Sequence, residues 1–448
     1  MNKKSIAFVT LGCAKNTVYS EYMMGLVEKS DYALTDDPAQ ADVIVVNTCG
    51  FITAAKQETI DTILALNDYK EKGSCDFLIA IGCMVQKYAP EMEEALPELD
   101  LLLGSTSYDD ILSQIDQLYA KKQPQKSYVD VDWHLPEQKQ EATRVLSTPG
   151  YYAYLTIAEG CNNRCTFCAI PEMQGPYRSR KLEDILDEAR QLVAGGVKEL
   201  IVIAQDITYY GKDLYGELAL PKLLHALCEI EDLKWVRLLY AYPNNFNDAL
   251  IDTIASEEKI CKYIDIPLQH ADDGVLKAMN RQITQADILA LVKKLRDRVP
   301  GIVIRSTFIV GFPGESEEAY ERLLHFLEEA TLDRVGVFPY SQEDNTPAGK
   351  MPDQIDEDVK EARAQNLMDL QFEIMYERHE KMLGERREVF VDEIENNLLL
   401  CRSYAEAPDI DPYVIVPCED PASYEVGDLL KVEITDLHEY DLIGSLLS

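Results

Sequence analysis

The chain has 448 residues, 46% hydrophobic and 27% charged, a folded composition too long for one compact core and long enough for about three domains at roughly 150 residues each. Its 43 Lys and Arg face 79 Asp and Glu, a net charge of −36 that repels phosphate backbones and either keeps the chain soluble or complements a basic protein surface. No apolar run reaches the roughly 18 residues of a spanning helix, and MNKKSIAFVT has no signal-peptide core. The 11 cysteines, odd in number and partly clustered, point to metal binding in the cytoplasm rather than to disulfides.

From Ser5 to about Ala120, apolar runs alternate with amphipathic stretches: SIAFVTLG, then Val18–Glu28; VIVVN, then Ala54–Leu66; FLIAIG, LDLLLG, then Tyr108–Tyr119. Strands alternating with helices predict a parallel α/β sheet domain over 1–120. Lys, Gln and Pro dominate 121–148 (KKQPQK, LPEQKQ), which reads as a linker. A second alternating series has six strand candidates: Ala153–Ala158, Glu199–Ala204, Trp235–Tyr240, Tyr263–Pro267, Val303–Val310 and Arg334–Phe338. Helical patterns such as Leu182–Leu192 and Ser316–Ala330 separate them. Six such units predict a closed or nearly closed (β/α) barrel over 149–380, its site at the carboxyl ends of the strands. Its trailing part, Asp356 to about Leu383, lacks Gly and Pro and spaces Ala362, Leu367, Leu370 and Ile374 as a long helix. Over 381–448 the period shortens to alternating strands (EVFVDEI, YVIVP, LLKVEIT), as in a small antiparallel β-barrel. From Glu385 to Ser448, 16 Asp and Glu face 4 Lys and Arg, so this last domain is disproportionately acidic.

GCNNRCTFC places Cys161, Cys165 and Cys168 in a Cys-x3-Cys-x2-Cys loop directly after the first barrel strand. Three thiolates can hold three irons of a 4Fe-4S cube and leave the fourth open. An open iron can bind S-adenosylmethionine and cleave it to a radical, chemistry that no side chain performs. A structural zinc loop would want a fourth Cys or His close by, and none follows before His225 and Cys228. Cys13, Cys49 and Cys83, in TLGC, NTC and AIGC, each follow an apolar strand. In a parallel sheet they gather at one edge, as a second cluster site would. Cys75, Cys228, Cys261, Cys401 and Cys418 share no such context and read as small hydrophobes.

With these motifs the chain resembles the methylthiotransferases of the radical S-adenosylmethionine superfamily across all three domains. LGCAKNTVYSE (Leu11–Glu21), NTCGFITAAKQET (Asn47–Thr59), GCMVQKY (Gly82–Tyr88) and RSYAEAPDID (Arg402–Asp411) are similar to the branch that modifies a ribosomal protein rather than tRNA; the last is the most discriminating. The resemblance implies two 4Fe-4S clusters, one on Cys161, Cys165 and Cys168 and an auxiliary one on Cys13, Cys49 and Cys83. It further implies S-adenosylmethionine as methyl donor and radical source, and a carboxyl-terminal TRAM barrel that docks the substrate. The implied substrate is an aspartate of the small-subunit ribosomal protein S-twelve, methylthiolated at its β-carbon, with a flavodoxin or ferredoxin as reductant, no membrane and no direct nucleic-acid readout. AQDITYYG (Ala204–Gly211), IPLQHADDGVLKAMNR (Ile266–Arg281) and STFIVGFPGE (Ser306–Glu315) resemble the wall around S-adenosylmethionine. There Gln205, Asp206 and Gln269 could hydrogen-bond ribose or substrate, and Gly311 and Gly314 allow close backbone approach. No general base is expected, since hydrogen-atom abstraction needs none. Two positions depart from the family's pattern: Tyr19 stands where Asp is usual, and Gln174, before Gly175, where Arg is common. Neither is expected to touch a cluster ligand. The alternatives are a tRNA adenosine methylthiotransferase, which should carry a basic last domain, and an iron–sulfur scaffold protein that leaves S-adenosylmethionine intact.

Overall fold

The computed structural model describes residues 3–120, 127–129, 133 and 144–447. The chain divides into two units: Met1–Ser147 with Ala158–Arg180 and Ser341–Thr346, and Thr148–Ile157 with Lys181–Tyr340 and Pro347–Ser448. The first begins β1 (Ser5–Thr10), α1 (Ala14–Glu28), β2 (Ala33–Leu34), β3 (Val43–Thr48), α2 (Thr53–Lys72), β4 (Phe77–Gly82), α3 (Cys83–Ala95), β5 (Leu101–Leu103), α4 (Ile111–Tyr119) and β6 (Ser127–Tyr128). The strands form one parallel sheet in the order β2-β1-β3-β4-β5-β6. VIVVNT is buried along its whole length because helices cover both faces. Val43 and Val45 face α1 and α4 through Met23, Val27, Ile111 and Ile115. Ile44 and Val46 face α2 and α3 through Ile63, Leu66, Val85 and Met92. The expected linker over 121–148 lies largely outside the described residues.

The chain next forms β7 (Tyr152–Thr156) of the second unit, then supplies β8 (Ala158–Glu159), α5 (Ile170–Gln174) and β9 (Arg178–Ser179) to the first. The second unit continues with α6 (Leu182–Ala194), β10 (Glu199–Ile203), α7 (Lys212–Tyr215), α8 (Leu220–Cys228), β11 (Trp235–Leu238), α9 (Asp248–Ser256) and β12 (Ile260–Asp265). After these come α10 (Asp273–Ala278), α11 (Gln285–Arg298), β13 (Val303–Val310), α12 (Glu317–Ala330) and β14 (Arg334–Pro339). All six predicted barrel strands form, paired in parallel in the order β14-β13-β12-β11-β10-β7. No ladder joins β14 to β7 among the described residues, so the barrel is open at that seam. The long helix is α13 (Glu357–Glu380). Beyond it β15 (Arg386–Glu395), β16 (Leu398–Arg402), β17 (Val414–Pro417), β18 (Leu429–His438) and β19 (Asp441–Leu446) close a five-stranded barrel. One of its pairs, β17 with β19, is parallel, where the alternating pattern had suggested antiparallel pairing throughout.

RSYAEAPDID is the surprise of this unit. Arg402 and Ser403 are fully buried, and Glu406 nearly so, against the six-stranded barrel. Arg402 donates to Glu199 (2.8 Å) and Asp392 (2.8 Å). Arg237 reaches the Ser403 and Tyr404 carbonyls. Tyr263 donates to Asp411 (2.7 Å), and Arg334 pairs with Glu406 (2.8 Å). The segment fastens the small barrel to the strands of the large one.

Candidate active site

Cys13, Cys49 and Cys83 follow β1, β3 and β4, three neighbouring strands. Close backbone approach interlocks their turns. Gly12 has φ +89° and packs against Cys49 so tightly that a Cβ there would stand 2.7 Å from the Cys49 Cβ and 2.9 Å from its Sγ. A Cβ on Gly50 would stand 2.9 Å from the Met84 Cα, so the second turn rests on the start of α3. Polar side chains complete the lock. Asn16 donates to the Leu11 (2.6 Å) and Thr48 (3.1 Å) carbonyls, and Asn47 to the Asn16 carbonyl (2.9 Å). Thr59, fully buried, donates to the Cys49 carbonyl (2.8 Å) and accepts from its N–H (3.3 Å).

Electrostatics favour a cationic occupant. Burial pushes the Cys49 thiol up, and Cys13 adds to the rise. Burial and then the Cys13 thiol push Cys83 up to about 12, although the Gln174 amide and the Lys15 ammonium pull the other way. Thiols that burial keeps protonated ionise when iron supplies the opposing charge. Three thiolates form a soft donor set of the kind that holds three irons of an iron–sulfur cube.

Cys161, Cys165 and Cys168 lie in the loop after β8, each partly exposed and in thiol form. Gly160 (φ +74°) and Arg164 (φ +50°) turn the backbone through left-handed conformations, and the Cys168 N–H donates to the Cys165 carbonyl (3.1 Å). Strain of this kind on a non-glycine residue marks a loop held in shape by its surroundings. The Cys161 N–H donates to the Gly175 carbonyl (3.2 Å), and the Tyr177 N–H to the Asn162 side chain (3.1 Å). This second triad belongs to the same unit as the first.

Of the two positions that depart from the family's pattern, Gln174 touches one of these cysteines and Tyr19 a residue two before another. Tyr19 and Lys15 both reach the buried Glu159, two residues before Cys161, and the Tyr19 ring stacks on Tyr108 at 4.1 Å. Burial and the Glu159 charge hold the Tyr19 hydroxyl well above its ordinary value, so it stays a donor. The Gln174 Nε2 lies 3.1 Å from the Cys83 Sγ. The expectation that neither departure touches a thiolate is thus corrected for Gln174: the short α5 carries it to α3 across 91 residues of sequence, a contact no local pattern reveals.

The remaining predicted residues follow the carboxyl ends of strands in the second unit. Gln205 follows β10, and its Oε1 is buried without a hydrogen bond among the described residues. The adjacent Asp206 caps its own turn, accepting from the Thr208 N–H (3.0 Å) and Oγ1 (2.5 Å). Gln269, at φ +77°, pairs its backbone with Thr307 (2.8 Å) and Ile309 (2.7 Å), a fixed left-handed residue beyond β12. At Gly311 (φ +73°) a Cβ would stand 2.2 Å from the Lys360 Cγ, so its glycine serves the docking of α13. Gly314 (φ +80°) borders open space. The Glu315 side chain, which had no assigned role, accepts from the Gly311 N–H (2.8 Å) and from Arg363 (2.8 Å).

Residues 155–327 match the Radical SAM superfamily, residues 5–104 the Uncharacterized protein family UPF0004, and residues 383–447 the TRAM domain. The chain is 46% identical over 442 residues to the ribosomal protein uS12 methylthiotransferase RimO of Lachnoclostridium phytofermentans, spanning 98% of this chain and 99% of that one. It is 46% identical over 449 residues to the protein of the same name from Geobacter sulfurreducens, spanning 100% and 99%. Among solved structures, the radical S-adenosylmethionine methyltransferase TsrM of Kitasatospora setae matches with a TM-score of 0.55 at 13% identity, over 92% of this chain and 85% of that one, a likeness of fold alone. Fold and thiolate loop together define a radical S-adenosylmethionine enzyme, a class built around one 4Fe-4S cluster and S-adenosylmethionine. By identity along its whole length, the chain belongs to the RimO family of ribosomal protein uS12 methylthiotransferases. No helix among the described residues is long and apolar enough to cross a membrane.

Proposed function

We propose that the chain transfers a methylthio group to the β-carbon of an aspartate in ribosomal protein uS12, using two 4Fe-4S clusters. The observation that carries this reading is the gathering of Cys13, Cys49 and Cys83 at neighbouring strand ends, in the unit that also holds Cys161, Cys165 and Cys168. When bound, the cluster on Cys161, Cys165 and Cys168 supplies a radical from S-adenosylmethionine, and the one on Cys13, Cys49 and Cys83 supplies sulfur for transfer. The six cysteines act as thiolate ligands. Asn16, Asn47 and Thr59 hold the Cys13 and Cys49 turns in register, so these two ligands are positioned before metal arrives. Glu159, held by Lys15 and Tyr19, ties the segment leading into the second triad to α1. Gln205 and Gln269 offer polar groups to S-adenosylmethionine or to the substrate backbone. No side chain is asked to take a proton from carbon, and a one-electron carrier of the flavodoxin or ferredoxin class supplies the reducing equivalents.

Charge supports a basic protein substrate over tRNA. In the last barrel Glu388, Glu393, Glu395, Glu419, Asp420, Glu425, Asp436 and Glu439 are exposed, whereas of its four basic residues Arg387 and Arg402 are buried in ion pairs. That surface repels a phosphate backbone and complements a cationic ribosomal protein. Anaerobic reconstitution followed by reaction with small-subunit ribosomal proteins and tRNA tests the reading. A methylthio mass gain on a uS12 aspartate, lost in Cys165→Ala, is the expected result. A gain confined to tRNA adenosine overturns the assignment of substrate.

A further inference from the structure

Gln174 is 5% exposed, and the backbone around it is pinned on every side. The Met173 carbonyl accepts from the Ser105 hydroxyl (2.7 Å), and Ser105 itself donates from its N–H to Gln86 (2.8 Å). The Gln174 carbonyl accepts from Arg178 (3.0 Å). The Gly175 carbonyl accepts from the Cys161 N–H (3.2 Å), and the Gly175 Cα lies against the Trp133 ring, which a Cβ there would approach to 2.4 Å. Three successive residues thus tie the end of α5 to the loop after β5, to β9 and to the Cys161 loop. Held in this way, the Gln174 amide has little freedom to lose when it meets the Cys83 sulfur at 3.1 Å.

We propose that Gln174 is a positioning residue that sets the reduction potential of the auxiliary cluster by donating an N–H···S hydrogen bond to the Cys83 thiolate. The inference rests on the reading that Cys13, Cys49 and Cys83 hold a 4Fe-4S cluster. When such a cluster takes one electron from a donor, the added negative charge spreads over its sulfurs. A donor dipole aimed at a ligand sulfur stabilises the reduced form more than the oxidised one and moves the potential upward. Glutamine does this without adding a formal charge, and because it is one residue from the Cys161 contact, its placement is fixed by the loop of the other triad.

The test uses the full-length chain carrying Cys161→Ala, Cys165→Ala and Cys168→Ala, so that only the auxiliary cluster contributes. The protein is reconstituted with iron and sulfide, assayed for both, and titrated with dithionite while the reduced cluster is followed by electron paramagnetic resonance. With iron content unchanged, Gln174→Leu is expected to shift the midpoint to more negative potential and Gln174→Arg to more positive potential. A second readout needs no substitution at Gln174. Glutamine labelled with nitrogen-15 in its side-chain amide is expected to give a nitrogen coupling to the reduced cluster in electron–nuclear double resonance. Equal midpoints in all three proteins, or no such coupling, overturn the role of Gln174 while leaving the cluster in place. A parent protein that binds no cluster overturns the reading of the triad, and the inference with it.

Discussion

Glu199 is the buried anion on which the docking of the small barrel turns. It is fully buried at the start of β10 and accepts from Arg237 Nε (2.7 Å) and Arg402 Nη2 (2.8 Å). Those two guanidiniums hold its carboxyl below the usual range despite burial. Glu199→Gln keeps the volume, so no cavity is made, but among the described residues it leaves two buried guanidiniums with Asp392 as the only other buried carboxylate bonded to this pair. Breaking one partner out of a buried ion-pair group costs about 3–5 kcal/mol. At roughly 2–4 °C per kcal/mol for a large domain, the melting temperature should fall on the order of 10 °C. Calorimetry and circular dichroism on the purified variant give the number, with iron content as a control, since all six cysteines proposed as ligands lie in the other unit. Adding Arg402→Met should recover part of the loss, because the charge imbalance is then removed. A loss under about 1 kcal/mol would show that water or rearrangement satisfies the guanidiniums and refute the buried-network reasoning.

Three further outcomes follow from particular contacts. Burial, and then the Arg334 charge, push the buried His379 on α13 down to about 4, so the unfolded chain binds its proton first. The stability this contributes is complete above about pH 6.5 and is lost as pH falls toward 4, on the order of 3 kcal/mol. His379→Gln should flatten that stretch of the stability profile, and an unchanged profile would count against it. Gly12→Ala forces a Cβ onto Cys49 at a left-handed backbone position and should lower the iron bound by the auxiliary triad without removing a thiolate. Retention of full iron content would mean the turn can relax. Thr59→Val removes both hydrogen bonds to the Cys49 backbone, which should cost about 1–3 kcal/mol and speed cluster loss under chelator; an unaltered rate would place Thr59 outside the cluster's support.

The architecture was legible where composition forces it. VIVVNT and FLIAIG are apolar on both faces, as only a sheet covered on both sides permits, and three cysteines after such runs converge by topology alone. The apolar period of α2 stops at Leu66, six residues short of its end, because its last turns are held by polar pairs, Asn67 with Glu71 (3.1 Å) and Lys72 with Asp68 (2.9 Å). The Arg402–Asp411 segment stands out in the sequence only as a family-like motif; its part in docking is invisible there because Glu406 and Arg402 are buried against Arg334 and Glu199, 72 and 203 residues away. Gln174 was likewise visible only as an oddity of sequence, because its partner is brought to it by tertiary packing.

Counting iron and sulfide while following S-adenosylmethionine cleavage, in the unaltered chain and in the two triple-alanine variants, tests the two-cluster assignment most directly. About eight irons per chain are expected, falling to about four in either variant. Cleavage should be lost only without Cys161, Cys165 and Cys168, and methylthio transfer to uS12 should be lost in both. About four irons in the unaltered chain, unchanged when Cys13, Cys49 and Cys83 are replaced, would contradict the assignment of a second cluster.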